Sequence, residues 1–265
     1  MRVDLQPCYL LHARPYRETS LLLEVLARDH GRVGLIARGV RNSNGHRLRA
    51  QLQPGRPLLL GWRDASELPV LGTVEAGATL PRITGDALLA LFYINELLVR
   101  LLPQREAQSA LFDHYALLIA QLADAVEFGA ALRVFEYRLL SSLGYAPMLD
   151  FDLEGTPIEA GVLYRHLGDQ GMRRVPAASS AARVDVAGEA LIALRDGFPL
   201  KREWLGSLRR LLRQCISEQL DGRPLQSWRL ARMLSGSSGT GDRLSPQDSP
   251  EVAGEGVSAD LESDP

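Results

Sequence analysis

The sequence predicts an α+β protein in which a small β-barrel precedes a mainly α-helical domain. Residues 1–80 alternate short apolar runs with turn signals, whereas residues 81–234 place apolar side chains at helical spacing. Residues 235–265 are rich in Gly, Ser, Pro, Asp and Glu and contain few large apolar side chains. We therefore expect two folded domains, 1–80 and 81–234, followed by a disordered acidic tail.

The first domain contains five short apolar segments with the composition of β-strands. They are Cys8 to His12, Ser20 to Ala27, Val33 to Val40, Pro57 to Trp62 and Val70 to Ala76. Gly31 can adopt the positive φ that a hairpin between the second and third strands needs. Residues 41–54 are predicted to be a polar connection. Five strands in about eighty residues fit a closed barrel, for which the OB-fold is the common solution.

The second domain shows five segments with helical periodicity and one pair of short strands. The predicted helices are Asp86 to Leu102, Glu106 to Ala123, Ala130 to Leu143, Ala187 to Arg195 and Arg202 to Leu220. The predicted strands are Val162 to Leu167 and Met172 to Val175. The last helix should bury Leu205, Leu208, Leu212 and Cys215 and expose Arg209, Arg210 and Arg213.

Composition and motifs favour a cytoplasmic binding protein. No secretory signal is visible at Met1 to Leu11, and the longest apolar run, Ala87 to Leu102, is too short to span a bilayer. The two cysteines, Cys8 and Cys215, cannot form a zinc site and are expected to be buried. The single lysine, Lys201, lies outside any phosphate-binding loop. We expect no catalytic site, no cofactor and no metal.

The positive charge is concentrated in the first domain. Residues 1–80 hold 11 arginines against 7 carboxylates, and seven of these arginines lie between Asp29 and Asp64 with no carboxylate among them. Such a run is typical of a surface that binds a polyanion. The candidate contacts are Arg14, Arg32, Arg38, Arg41, Arg47, Arg49 and Arg56.

Few aromatic side chains of the first domain could stack on bases. Tyr16 lies in a polar stretch and is the candidate for stacking, whereas Tyr9 and Trp62 lie in apolar strands and should be core residues. The 235–265 tail, with 7 carboxylates and one arginine, is interpreted as a solubilising end. The alternative is a DNA mimic that folds back on the arginines.

Several segments follow one another in a characteristic order: Arg14-Pro15-Tyr16-Arg17-Glu18, Gly31-Arg32-Val33, Arg38-Gly39-Val40-Arg41, Tyr93-Ile94-Asn95-Glu96-Leu97 and Leu143-Gly144-Tyr145. This ordered set resembles the RecO family. The resemblance implies an OB-fold followed by a helical domain. It also implies a nucleoid-associated recombination mediator that binds single- and double-stranded DNA, anneals complementary strands and helps load RecA onto strands coated by SSB. RecR, and in some settings RecF, are the implied partners.

The resemblance places a pocket for the acidic SSB tail in the helical domain. Arg133 is the expected cation of this pocket, with Phe135 and Tyr137 nearby. Many relatives carry four zinc-binding cysteines after the segment that matches Leu143-Gly144-Tyr145, and residues 148–172 contain none, which indicates the metal-free branch. Two other functions stay open: an RNA-binding OB-fold adaptor, and a hydrolase of unrecognised type.

Overall fold

A computed structural model describes residues 2–64, 68–124, 128–176, 185–220, 223–228 and 230. The predicted acidic tail, 235–265, lies outside the described residues. The chain forms a five-stranded β-barrel followed by a helical region with a small sheet. The predicted α+β class is therefore confirmed. Among the described helices, none has both the length and the apolar character needed to cross a bilayer.

The barrel consists of five strands that close on one another. Their bounds are β1 Arg2–Tyr16, β2 Ser20–Ala27, β3 Gly31–Ala37, β4 Pro57–Arg63 and β5 Val70–Ala76. β1 pairs with β2 and β4, β2 with β3, and β4 with β5, all antiparallel. A parallel contact of Ile36 with Val70 joins β3 to β5 and completes the ring. This strand order fits the predicted OB-fold.

Two details of the barrel differ from the sequence prediction. β1 begins at Arg2 rather than Cys8 and ends at Tyr16, because pairing with two neighbours satisfies the backbone of residues that are themselves polar. The predicted polar connection, 41–54, contains a 3₁₀ turn, Ser43–Gly45, and the helix α1, His46–Gln51. Leu48 and Leu52 of this connection pack against the barrel core, which stabilises a helix too short to form alone.

The helical region follows the predicted pattern closely. Its helices are α2 Gly85–Leu101, α3 Ser109–Asp124, α4 Gly129–Ser142, α5 Gly188–Asp196 and α6 Leu205–Gln219. The predicted strand pair forms as β6 Leu163–His166 and β7 Met172–Arg174, with β8 Val186–Ala187 on the other side of β6. α2 is buried along most of its length, as its apolar character indicated.

The prediction that α6 exposes three arginines to solvent is wrong. Arg209, Arg210 and Arg213 are half-buried rather than exposed. For Arg213 the reason is the segment 223–228, which places the Trp228 ring centroid 4.4 Å from the Arg213 guanidinium. On the other face of α6, Leu208, Leu212 and Cys215 are buried, as predicted. Leu205 is only half-buried.

The barrel has a core of its own, but three of its buried side chains belong to the hydrophobic core of the helical region. Tyr9, Leu11 and Leu26 lie on the outer face of the barrel and pack among the side chains of α2 and α3. The Tyr9 ring centroid is 5.4 Å from that of Phe112 and 5.0 Å from that of Tyr115. The two parts of the chain are therefore joined by close packing and not only by a linker.

The loop between α4 and β6 is held by charged side chains. Asp152 accepts hydrogen bonds from the backbone N–H groups of Glu154 and Thr156. Arg174 lies 3.5 Å from Asp152 and 3.0 Å from Glu159. These ion pairs attach two points of the loop to β7.

Candidate nucleic-acid interface

A groove lies at the end of the barrel where β1, β2 and β3 meet. It has a volume of about 1010 Å³ and is bounded by the β1–β2 turn on one side and the segment before β5 on the other. Its lining includes Tyr16, Arg17, Glu18, Ile36, Arg38, Leu68 and Val70. Oligonucleotides bind OB-folds at the corresponding place, across strands 2 and 3 between the loops that join strands 1–2 and 4–5.

The wall formed by the β1–β2 turn carries an aromatic ring next to a cation. Tyr16 is half-buried, and the Arg17 guanidinium lies 5.3 Å from the Tyr16 ring centroid. Arg17 has a φ of 51°, an unusual value for a residue with a side chain. With the apolar Ile36, Leu68 and Val70 opposite, the groove offers both a stacking platform and a phosphate contact.

The connection after β3 is fastened to the β1–β2 turn. The Arg41 backbone N–H donates to the Thr19 carbonyl at 3.0 Å, and the Arg41 side chain donates to the Arg17 carbonyl at 3.1 Å. A Cβ atom on Gly45 would lie only 2.3 Å from the Gly39 carbonyl oxygen, so glycine is required at Gly45. These contacts bring Arg17, Arg38 and Arg41 to the same end of the barrel.

Helix α1 projects two further arginines into solvent. Leu48 faces the barrel core, while Arg47 and Arg49 on either side of it are exposed. Arg14, two residues before Tyr16 on β1, and Arg56, just before β4, are also exposed. We call these seven exposed residues the arginine surface: Arg14, Arg17, Arg38, Arg41, Arg47, Arg49 and Arg56.

The arginine surface has little negative charge to balance it. Within the described ranges, none of its guanidinium groups forms an ion pair with a carboxylate. Glu18 is the carboxylate that shares the lining of the groove. Unpaired guanidinium groups in water attract polyanions, because binding releases the counterions that screen both partners.

The predicted contact at Arg32 needs correction. The Arg32 side chain is only 14% exposed and lies 2.9 Å from the Glu24 carboxylate. It also donates to the Leu102 carbonyl at 2.9 Å. Because its charge is paired and its donors are engaged between barrel and helices, Arg32 positions the two domains and is not part of the arginine surface.

Arg17 was not among the residues predicted from the sequence. It does not belong to the carboxylate-free run between Asp29 and Asp64, and Glu18 follows it directly. The signal that could have found it is local: a cation next to Tyr16 in a polar stretch between two apolar strands. Such a pair at a strand end is well placed to hold a base and its phosphate together.

The pocket expected around Arg133 is closed in the structure. Arg133 is 5% exposed and lies 3.0 Å from Glu136, which also accepts a hydrogen bond from the Tyr93 hydroxyl at 2.7 Å. Burial raises the pKa of Glu136, and the charge of Arg133 opposes that shift. Phe135 and Tyr137 are buried as well. Arg133 is thus not at an exposed rim in the structure described, while its assignment to a tail-binding pocket stays a prediction.

The ionisable groups outside the interface do not form a reactive cluster that the structure describes. Burial raises the pKa of the Cys8 and Cys215 thiols to about 12, so neither forms a thiolate near neutral pH. Cys215 lies 3.9 Å from His166. Among the described residues, no three side chains of His, Cys, Asp or Glu stand close enough to hold a metal ion.

Comparison with known proteins relates the whole described chain to one family. The model of the recombination protein O N-terminal domain matches residues 1–79, and the model of the C-terminal domain matches residues 82–229. A DNA repair protein RecO from Nitrosococcus oceani is 43% identical over 229 residues, covering 86% of this chain and 92% of the relative.

Two further relatives show the same extent of similarity. The DNA repair protein RecO of Xanthomonas campestris pv. campestris (strain B100) is 41% identical over 237 residues, which cover 89% of this chain and 98% of the relative. That of Alkalilimnicola ehrlichii is 39% identical over 248 residues, which cover 93% of this chain and 98% of the relative.

Proposed function

Since the chain belongs to the RecO family of DNA repair proteins, we propose that it binds DNA through the barrel groove and the arginine surface and anneals complementary strands. The observation that carries this proposal is a groove with an aromatic wall whose lining includes Arg17 and Arg38, together with the other exposed arginines of the arginine surface. Phosphates would contact the arginines, and a base would stack near Tyr16.

Annealing follows from the same electrostatics. Two single strands repel each other through their phosphates, and a surface that neutralises both lets the bases find their complements. The arginine surface extends well beyond the groove, along α1 and to Arg56, which leaves cations for a second strand once the groove is filled. Few aromatic side chains of the barrel domain could stack on bases, which favours DNA binding that does not depend on the base sequence.

We propose a non-enzymatic role within recombination repair. The helical domain would dock the acidic tail of SSB and bind RecR, and with RecF these contacts would help load RecA onto SSB-coated single strands. Because Arg133 is buried beside Glu136, capture of an SSB tail at that position would require local opening of the helical region.

The direct test is the annealing of complementary strands, naked and coated with SSB, by the purified protein. We expect faster annealing in both cases, and a steep loss of activity as salt rises. Competition between single-stranded DNA and RNA of one sequence separates this proposal from an RNA-binding adaptor, which would prefer RNA. Failure to accelerate annealing of naked strands in dilute salt would refute the proposed function.

A further inference from the structure

The chain contains both a polyanionic segment and a polycationic surface. Residues 235–265 contain seven carboxylates and a single arginine, Arg243, giving a net charge of −6. The arginine surface presents seven guanidinium groups that have no carboxylate partner within the described ranges. The two segments are thus opposite in sign and nearly equal in number of charges.

Among the last described residues before this segment, Gln226 and Ser227 are held by helix α2. The Glu96 carboxylate accepts hydrogen bonds of 2.8 Å from the backbone N–H groups of Gln226 and Ser227 and from the Ser227 hydroxyl. Burial alone would raise the pKa of Glu96, but these bonds and the nearby Arg100 lower it overall. The carboxylate is therefore charged near neutral pH and anchors the chain just before the acidic segment begins.

The anchor lies on the helix that packs against the barrel. Asn95, adjacent to Glu96, donates to the Leu11 carbonyl of β1 at 3.1 Å. Leu91, about one turn away on α2, lies beside Gly55, and Gly55 precedes Arg56 of the arginine surface. A random coil with as many residues as follow residue 230 would span about 30 Å on average, which is comparable to the diameter of a small domain.

We propose that residues 235–265 bind the arginine surface of their own chain and compete there with DNA. This inference rests on the proposed function. Tethering gives the segment an effective concentration of about a millimolar or more, so weak ionic contacts suffice to occupy the surface. DNA, which carries more charge, displaces the segment, whereas ligands with fewer charges do not.

The half-buried arginines of α6 are a less suitable binding site for the acidic segment than the arginine surface is. Arg213 already stacks on Trp228, and Arg209 and Arg210 are half-buried. The arginine surface is instead exposed throughout.

The first experiment measures DNA affinity in full-length variants with equal changes of charge. One variant neutralises three of the seven carboxylates of the tail (Asp260→Asn, Glu262→Gln, Asp264→Asn). Its control neutralises three exposed carboxylates of the helical domain (Glu154→Gln, Asp169→Asn, Glu203→Gln). A tail that occupies the surface nine-tenths of the time weakens apparent affinity about tenfold. At low salt, we expect the tail variant to bind DNA at least about threefold more tightly than the parent protein. The DNA affinity of the control should change by less than twofold.

The second experiment locates the tail directly. Cys8 and Cys215 are buried, so a Ser258→Cys variant can be labelled selectively with a photoreactive group and its adducts mapped. We expect adducts on residues 14–19 and 38–56, and their loss when single-stranded DNA is added. Adducts confined to α6, or equal affinities of the tail and control variants, would overturn the inference while leaving DNA binding intact. Absence of DNA binding in every variant would instead refute the proposed function, and this inference with it.

Discussion

The arginines of the β3–β4 connection provide the sharpest test of how the protein holds DNA. We consider the replacement of Arg38, Arg41, Arg47 and Arg49 by alanine. All four are exposed, and none has a carboxylate partner among the described residues. The substitutions should therefore remove positive charge without breaking an ion pair, and Leu48 and Leu52, which attach this connection to the barrel, are unchanged.

The expected magnitude follows from counterion release. Each phosphate neutralised on a single strand contributes about 0.7 to the slope of log affinity against log salt. If all four guanidinium groups contact phosphates, the slope should fall by about 2.8. Between 50 and 200 mM salt, the parent protein would then lose about fiftyfold more affinity than the variant does.

The assay is a fluorescence anisotropy titration of a labelled single strand at several salt concentrations, with thermal unfolding as a check on the fold. Arg47→Ala alone should lower the slope by about 0.7. Arg173→Ala, which removes an exposed arginine from β7 of the helical region, should leave the slope unchanged. An unchanged slope in the fourfold variant would show that this connection does not contact the phosphates.

Three further outcomes are expected. Arg133→Met should lower the free energy of unfolding by about 3–5 kcal/mol, because Glu136 keeps a buried charge without its cation; a loss below about 1 kcal/mol in a denaturant titration would contradict the buried pair. Metal analysis should find no stoichiometric zinc, and one tightly held ion per chain would overturn the metal-free assignment. At pH 8, Cys8 and Cys215, with a pKa of about 12, should be alkylated only after unfolding; rapid labelling of the native protein would argue against their burial.

Much of the fold could be predicted because its elements are specified locally. The turn at Gly31 has the positive φ that the hairpin requires, and β2 and β5 have the predicted bounds. Helix α1 was missed, because six residues with little periodicity form a helix only through packing of Leu48 and Leu52 on the barrel. Such tertiary contacts are not visible in a local pattern.

The charge pattern of the sequence located the candidate interface but could not show which arginines belong to it. Arg32 belongs to the same carboxylate-free run as Arg38 and Arg41, yet it is paired with Glu24, eight residues earlier in the sequence. The pairing arises because β2 and β3 are adjacent, and it depends on the strand register. Arg133 likewise has the polar character of a surface residue, and its burial beside Glu136 follows from the way α4 packs. Linear sequence reports the sign of a charge but not its partner.

The packing of barrel side chains into the core of the helical region affects how the protein can be divided experimentally. A fragment ending near residue 80 would leave Tyr9, Leu11 and Leu26 facing water, although in the full chain they lie among the side chains of α2 and α3. Recombinant expression of the barrel alone should therefore yield a sticky, aggregation-prone product. The boundary between residues 79 and 82 that the two family models suggest is for this reason a poor place to cut the chain.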